Sequence, residues 1–465
     1  MDPASRIETS EVYCTITDDA LWRQLIENHE LAARIKQLTV ADSGVQIEDH
    51  SVQRQSELLM IQAVHNAKNL DSFTWDCRAP EDIWTALRDH TSLKSLKVVD
   101  HGRGQAHPVF ESTLFTIRNL VHLDLELFIV AKCDISNGGG GSDSDEYEYD
   151  SDDHVLPPSV SLAGIQYLVN ACQLETFALT LKDEKQYNFP GHPFVNISTI
   201  FMHCSMPFLT TFRLRNVTVD DHVIVPFLQC HQALRAVTAT LSFTHDCVPH
   251  TPFKLDCRKN LPDDILPSLE SLMLPPQDLR MVLRAMYRPC NLSEIGVLEP
   301  AHWNTSEELE DDYNYVTVLD DVWGIPLDDG HVDEGQRAVC GRDLENLLTG
   351  IPHLRRVEVR NVKTGLQLQK LIRSTPLLEH VVFHDSFNDD SPLSQDPEVA
   401  LPIQYLSRWP QLLSIDGNVI WAKGGDVLPA LQDLAKACPL LQSVTWSGGS
   451  ATLTRTNDQL SIRFI

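Results

Sequence analysis

The feature that most constrains this chain is a short phrase that returns thirteen times along its 465 residues. The phrase is an apolar residue, two variable residues, a second apolar residue, one variable residue and, in most copies, a third apolar residue. Self-similarity of this kind is typical of repeat architectures, in which no single unit can bury its apolar face alone. The copies begin at residues 35, 70, 93, 120, 174, 209, 234, 269, 292, 354, 378, 412 and 441.

The phrase predicts a half-buried strand, because its apolar residues alternate with variable ones. Upstream of most copies, apolar residues recur at steps of three and four, which predicts helices with one buried face. A helix, a tight corner and a strand in repetition predict an α/β solenoid. Its parallel strands are expected to line the concave face and its helices the convex face. The helical segments include LWRQLIENHELAARI (21–35), LQKLIRSTPLL (368–378) and LPALQDLAKACPLL (428–441).

The corners of the repeat add a more specific likeness. Proline precedes the leading leucine in IPHL, TPLL, WPQL and CPLL, where a helix must already have ended. With the opening LWRQLIENHELAARIKQLTV, these corners resemble the leucine-rich-repeat region of F-box-type proteins, in particular the divergent fungal kind. The resemblance implies a ribonuclease-inhibitor-like horseshoe. It also implies a substrate-recognition or adaptor role in ubiquitin ligation, with a cullin-ligase adaptor among the partners.

The chain departs from that pattern in one respect, since only eighteen residues precede the first predicted helix and no F-box is evident among them. LPDDIL (261–266) resembles the opening of an F-box, but it leads directly into the phrase LESLML, so we interpret it as a repeat corner. The alternative function is therefore a free-standing leucine-rich-repeat scaffold or inhibitor without a role in ubiquitin ligation. Both interpretations describe a non-catalytic protein that acts by binding other proteins.

The domain organisation follows from the spacing of the phrases. We expect an N-terminal tail over residues 1–18 and a solenoid over 19–465. The two longest intervals between phrases contain acidic inserts, at 132–158 and 299–338. The last residues alternate in two short stretches around a Thr-Asn-Asp turn, which predicts a hairpin over 448–465. Such a hairpin would cap the sheet edge left open by the last repeat.

The formal net charge of −28 argues against nucleic acid or an anionic membrane as the main partner. Eight acids and no Lys or Arg lie between Asp134 and Asp153, and eleven acids, again without Lys or Arg, lie between Ala301 and Gln336. These nineteen acids account for most of the excess, so the acidity belongs to the inserts. The remaining chain carries a net charge of about −9, which is ordinary for its size.

The sequence also predicts the compartment. No run approaches the roughly 18 apolar residues of a membrane helix, and the first residues have neither the basic start nor the apolar run of a secretory signal. The eleven cysteines are odd in number and never spaced as C-x-x-C, which suggests neither a disulfide framework nor a zinc ribbon. We therefore expect a cytoplasmic or nuclear protein.

Candidate binding residues follow from the strand geometry, because the second, fourth and sixth residues after each leading residue point away from the core. Most of these residues are small and polar, and one group, His122/Asp124/Glu126, is acidic. Adjacent strands lie about 4.8 Å apart, so the basic residues between 356 and 384 are predicted to form one basic patch. The alternative is a solvated face that binds nothing. The candidates are Arg213 and Arg215 in one place, and Arg356, Glu358, Arg360, His380 and His384 in the other.

Other motifs predict less. Ser142 is a phosphorylation candidate, because acids at the first and third following positions suit an acid-directed kinase. The insert around it lacks the glycine and the bidentate glutamate of an EF-hand loop, so no calcium site is predicted. His245, Cys247, His250 and Cys257 match no common zinc spacing. No phosphate-binding loop, nucleophile elbow or H-E-x-x-H motif occurs, so we predict no catalytic residue, metal or cofactor.

Overall fold

A computed structural model of the chain divides into two compact units. The first unit comprises Met1–Val219 and Ser242–Asp246, and the second comprises Asp220–Leu241 and Cys247–Ile465. In each unit, parallel strands follow one another in chain order and helices pack on one side of them. The structure describes residues 10–41, 50–76, 82–99, 113–129, 162–183, 194–241, 252–255, 261–262, 265–286, 291–298, 348, 351, 353–359, 365–383, 403–417, 427–446, 449–456 and 459–465.

The first unit has seven sheet strands and a separate two-stranded pair among its described residues. The sheet strands, in spatial order and all parallel, are β1 (Glu11–Thr15), β2 (Gln37–Ala41), β3 (Ser72–Asp76), β4 (Ser95–Val99), β5 (His122–Ile129), β6 (Thr176–Asp183) and β8 (Thr211–Arg215). The separate pair is β7 (Val195–Asn196) with β9 (Val217–Thr218). The helices are α1 (Asp19–Glu27), α2 (His29–Ala32), α3 (His50–Asn66), α4 (Asp82–Arg88), α5 (Ala163–Ala171) and α6 (Ser198–Phe201), with a 3₁₀ turn at Thr113–Thr116.

The second unit repeats this plan and ends differently. Its parallel strands are β10 (Ala236–Thr240), β11 (Ser271–Met273), β12 (Glu294–Leu298), β13 (Arg356–Val359), β14 (His380–Phe383), β15 (Ser414–Asp416) and β16 (Ser443–Trp446). Two antiparallel strands follow, β17 (Gly449–Thr456) and β18 (Gln459–Phe464). The helices are α7 (Asp221–Cys230), α8 (Pro276–Ala285), α9 (Gly365–Ser374), α10 (Ile403–Leu406) and α11 (Val427–Ala437).

Each of the thirteen phrases contains one of the parallel strands β2–β6, β8 and β10–β16. The burial within them alternates as predicted: in β3, Phe73 and Trp75 are fully buried while Ser72 and Thr74 are partly exposed. The helices form a layer of their own, in which α3 packs against α1 and α4, and α10 packs against α9 and α11. The prediction of an α/β leucine-rich-repeat solenoid is confirmed.

A repeated hydrogen-bond pattern joins neighbouring repeats at the start of most strands within each unit. The carbonyl oxygen of Lys36 accepts the N–H groups of Asp71 and Ser72, at 2.8 and 2.9 Å. The carbonyl of Asp71 then accepts two N–H groups from the next repeat, and the same two-to-one bond recurs up to Leu413 in the second unit. These shared acceptors align the starts of successive strands, although the register shifts by one residue along the pair β12 and β13.

Two features at the ends differ from a plain repeat array. β1 lies within the segment expected to be a tail, and it pairs in parallel with β2 through Glu11–Thr15. The sequence analysis missed it, because EVYCT has no leading leucine and follows no recognisable phrase. At the other end, β17 and β18 form a hairpin, and β17 pairs antiparallel with β16. The hairpin therefore continues the sheet beyond the last repeat.

The segment that resembles an F-box opening is a repeat corner in its described part. Ile265 and Leu266 are buried, and the N–H of Leu269 donates to the carbonyl of Leu266 at 3.3 Å. Leu269 is the leading residue of the phrase that contains β11. This geometry agrees with the interpretation of LPDDIL as the approach to a strand.

Candidate functional site

The candidate site is the face of the sheet opposite the helices, which we call the open face. In β2, β3 and β4 this face consists mainly of small polar side chains, whereas the opposite side chains are buried. Parallel pairing places these polar residues in rows that run across the strands. The polar residues are Gln37, Thr39, Ser72, Thr74, Asp76, Ser95 and Lys97.

The acidic group on β5 is neutralised by lysines from the neighbouring strands. Lys97 of β4 lies 3.7 Å from the carboxylate of Asp124, and Lys182 of β6 forms an ion pair with Glu126. His122, Asp124 and Glu126 form an acidic group by residue type alone. In the structure, each of the two carboxylates has its own lysine on an adjacent strand.

The carboxyl group of Asp124 is an ionisable group on this face whose pKa departs from its ordinary value. Its partial burial raises its pKa above the ordinary value, and the nearby negative charge of Glu126 acts in the same direction. The positive charges of Lys97 and Arg213 oppose the rise. Arg213 therefore acts on Asp124 electrostatically although a strand lies between them.

Arg213 and Arg215 lie on β8, and both side chains are exposed. The register places Ala178 between Asp124 and Arg213, and Thr180 between Glu126 and Arg215. Neither arginine forms an ion pair with any residue that the structure describes. The two acids of β5 that lie nearest to them across the sheet are each paired with a lysine. Arg213 and Arg215 are the predicted candidate pair in the first unit.

The candidate cluster in the second unit has a different character. Arg356 donates a hydrogen bond to Glu358 at 3.0 Å, and the Nδ1 atom of His380 lies 2.7 Å from the hydroxyl of Ser414. Pairing also places Glu294 opposite Arg356 on the neighbouring strand. Among the described residues of the cluster, Arg356 is paired with Glu358, while Arg360 and His384 lie outside the described ranges, so the basic patch stays a prediction. Side chains two apart on one strand share a face, so Glu358 lies beside Arg356.

Several predicted sites lie outside the described residues. Among them are Arg360 and His384 of the second cluster, the phosphorylation candidate Ser142, and both acidic inserts. The histidines and cysteines at His245, Cys247, His250 and Cys257 also fall there. All of these remain predictions from the sequence.

Within the described ranges, no group of three His, Cys, Asp or Glu side chains is placed to hold a metal ion. No helix in those ranges is both long and apolar enough to cross a bilayer. None of the described cysteines forms a disulfide with another described residue, and burial raises the pKa of Cys204 and Cys438 to about 11. These two thiols stay protonated near neutral pH and are poor nucleophiles.

Two lysines contribute to the open face and were not among the residues predicted from the sequence. Lys97 occupies the fourth position after its leading leucine, so the position rule would have found it. Lys182 lies eight residues after Leu174, beyond the six-residue phrase, because β6 is longer than the phrase. Gly296 also shapes the open face, because a Cβ at this position would come within 2.7 Å of the Met273 side chain. The glycine thus leaves room for Met273 on the open face.

Comparison with known proteins adds little beyond the fold. No protein-family profile and no curated protein matches the sequence. Among solved structures, a leucine-rich-repeat protein of Leptospira interrogans is similar over 93% of this chain and 89% of that chain, with 9% identity and a TM-score of 0.25. A likeness at this level says nothing about function, so the open face itself has to support any functional conclusion.

Proposed function

We propose that this chain is a non-catalytic protein-binding module whose open face holds a protein partner. The observation that supports the proposal is the state of Arg213 and Arg215. Both are exposed on a face of polar side chains, and both have no ion-pair partner among the described residues. Arginine is favoured at interfaces because its planar guanidinium pairs with carboxylates and stacks on aromatic rings. The partner is expected to present acidic side chains to β8.

The finer proposal concerns the role of that binding. The resemblance to F-box-type repeat proteins suggests a substrate-recognition or adaptor protein of ubiquitin ligation, which would also contact a cullin-ligase adaptor. The alternative is a free-standing scaffold or inhibitor. In both cases we place the protein in the cytoplasm or nucleus, as the sequence predicts.

Affinity purification from cells tests both levels of the proposal. The full chain, its R213E/R215E variant and a matched R23E/R88E control would be purified under identical conditions. The control reverses two exposed arginines on α1 and α4, in the helix layer of the same unit. We expect R213E/R215E to lose partners that the wild type and the control retain. Equal recovery by all three proteins would contradict the open-face proposal.

The same purification separates the two roles. Recovery of cullin-ligase adaptors with the wild type supports the ubiquitin-ligase role, whichever face they contact. Their consistent absence, with other partners still lost on R213E/R215E, supports the scaffold or inhibitor. The two conclusions rest on different proteins in the same samples, so one can fail without the other.

A further inference from the structure

The last strand of the second unit, β18, pairs with β17 along one of its sides. It is the final strand in the order of the sheet, so its other side is paired with no strand among the described residues. Residues Gln459–Phe464 form this strand without a register shift, and QLSIRF contains neither proline nor glycine. Natural edge strands are usually protected by bulges, prolines or several charges, because an unprotected edge pairs readily with another strand. In β18 the one charged residue is Arg463.

The hydrogen bonds reveal which main-chain groups of β18 point away from the molecule. The N–H of Ile465 donates to the carbonyl of Ser450 at 2.9 Å, so residues 450 and 465 are a hydrogen-bonded pair. In an antiparallel ladder such pairs alternate with non-bonded pairs. Odd-numbered residues of β18 therefore bond to β17, and the N–H and C=O groups of Leu460, Ile462 and Phe464 point outward.

The same three residues place their side chains on one side of the strand. They lie opposite Arg455, Leu453 and Ala451 of β17. Leu453 and Ala451 are buried, whereas Leu460 is 36% exposed and Phe464 is 51% exposed. The apolar side of the sheet thus continues past the region that the last helix covers. An outward main-chain edge and an uncovered apolar stripe occur in one strand.

The hairpin that presents this edge is anchored to the last repeat. The guanidinium of Arg455 donates to the carbonyls of Ala435 and Leu441 at 2.8 Å, and to that of Cys438 at 3.2 Å. These carbonyls lie in the last turn of α11 and in the corner that follows it. Because the hairpin is held by three such bonds, the edge is preorganised for pairing rather than formed on contact.

We propose that β18 pairs antiparallel with β18 of a second copy of this chain, about a two-fold axis at Ile462. In that register Ile462 lies opposite Ile462, and Leu460 lies opposite Phe464 of the other copy. All the outward N–H and C=O groups of these three residues then find partners. The apolar side chains of the two copies form one continuous stripe, because directly opposed residues share a face of the sheet.

The polar side of β18 fits the same register. Arg463 lies opposite Ser461 of the second copy, so the two positive charges do not meet. Like charges directly opposite each other would destabilise a strand pair. A symmetric contact of this kind places the same patch on both partners, which a closed dimer requires. This self-complementarity favours a second copy over an unrelated extended peptide.

Cysteine cross-linking in the full chain tests the register directly. Directly opposed residues in a hydrogen-bonded antiparallel pair have Cα atoms about 5.5 Å apart, within the range for a disulfide. The Ile462→Cys variant should therefore form a covalent dimer on mild oxidation, while Ser461→Cys and the wild type should not. A covalent dimer from Ser461→Cys alone would overturn this register. Absence of cross-linking in all three, with a monomer by analytical ultracentrifugation at every concentration, would overturn the dimer.

A charge exchange at the same position provides the second measurement. Ile462→Lys and Ile462→Glu should each weaken the dimer at least about tenfold, because like charges would meet on the axis. An equimolar mixture of the two variants should dimerise again. Thr454→Lys is the matched control, because it adds the same charge on β17 and should leave the dimer unchanged. Circular dichroism of each variant checks the fold, and a mixture that stays monomeric while both variants are folded contradicts the proposal.

Discussion

The arginines on the open faces of the two units illustrate how register decides whether a charge is available. On β8, Arg213 and Arg215 face Ala178 and Thr180, while the acids of β5 are paired with lysines. On β13, Arg356 has Glu358 two residues away on the same side of the same strand. Residue type alone would predict that both clusters are basic. In the proposed function the first cluster binds an anionic partner, whereas Arg356 of the second cluster already has an acidic partner on its own strand.

The largest expected effect is a loss of partner recovery when the arginines of the first region are reversed in charge, compared with the same change in the second region. R213E/R215E should reduce recovery of an open-face partner by tenfold or more, on the order of 1.4 kcal/mol, because exposed arginines are lost and repulsive charges introduced. Arg356→Glu should reduce recovery by less than about threefold, since that side chain is already paired. Quantitative co-purification measures both. The reverse order would show that the second region is the principal contact.

The next effect concerns the stability of the second unit, which has a buried carboxyl group in α8. The Oδ2 atom of Asp278 accepts the N–H of Phe253 at 3.1 Å, while Oδ1 has no hydrogen-bond partner among the described residues. Burial raises the pKa of Asp278 to about 7, and the N–H groups of Phe253 and Leu255 partly oppose the rise. The folded state therefore binds this proton more tightly than the unfolded chain does. The stabilisation that comes from protonated Asp278 is fully present below the pKa that this residue has in the unfolded chain. It is lost as the pH rises through about 7, the pKa in the folded state.

Thermal unfolding of wild type and Asp278→Asn tests this sign. Between about pH 5 and about pH 8, the wild type should lose on the order of several degrees of Tm relative to the variant. His90 and His231, whose pKa values burial lowers, act in the opposite direction and cancel in the difference. A Tm difference that is flat with pH would show that Asp278 does not titrate there. Binding through β8 should not follow this transition.

A smaller expected effect tests the ion pair between Arg356 and Glu358, which distinguishes the second region. Glu358→Gln should release Arg356 and increase recovery of acidic partners by about two- to threefold, an estimate based on the modest strength of such pairs. The ion pair is partly exposed, so the free energy of unfolding should change by no more than about 1 kcal/mol. Urea titration gives the second quantity. Unchanged recovery would mean that Arg356 is unavailable for another reason.

The smallest expected effect concerns the influence of the Asp124 charge on binding by Arg213 in the first region. Asp124 lies within the electrostatic reach of Arg213, and its raised pKa shows that the carboxylate is held there at some cost. Asp124→Asn should strengthen the binding of an acidic partner slightly at neutral pH, by about twofold, because one opposing charge is removed. The gain should shrink as pH falls and the wild-type carboxyl protonates. Measuring the affinity of the wild type and of Asp124→Asn for an acidic partner across a range of pH gives this gain. A gain that grows at low pH would contradict the role assigned to the Asp124 charge.

The sequence predicted the repeat framework well, because each phrase encodes its own strand. A leading leucine, an alternating pattern and a helix upstream are local signals, and all thirteen phrases contain the strand expected of them. β1 was missed because Val12 and Cys14 alternate over too short a stretch to be recognised. Its place in the sheet comes from pairing with β2, which is a long-range contact.

The candidate site was less predictable than the fold. The exposed positions follow from alternation, but the neighbours across strands depend on which repeats stack together. Lys97 and Lys182 neutralise β5 from two different repeats, and neither pairing can be read from one phrase. The bonds from Arg455 to α11 and the burial of Asp278 are likewise tertiary. In PPQDLRMV, Asp278 resembles an ordinary acid in the first turn of a helix, where it would be exposed.

Site-specific photo-cross-linking tests the central claim about the open face most directly. A photoreactive residue would replace Thr74 or Arg215 on the open face, or Arg23 or Arg88 in the helix layer, one at a time in the full chain. Irradiation in cells should join a partner to the protein from Thr74 and Arg215, and not from Arg23 or Arg88. Cross-links confined to the helix-layer positions would contradict the account.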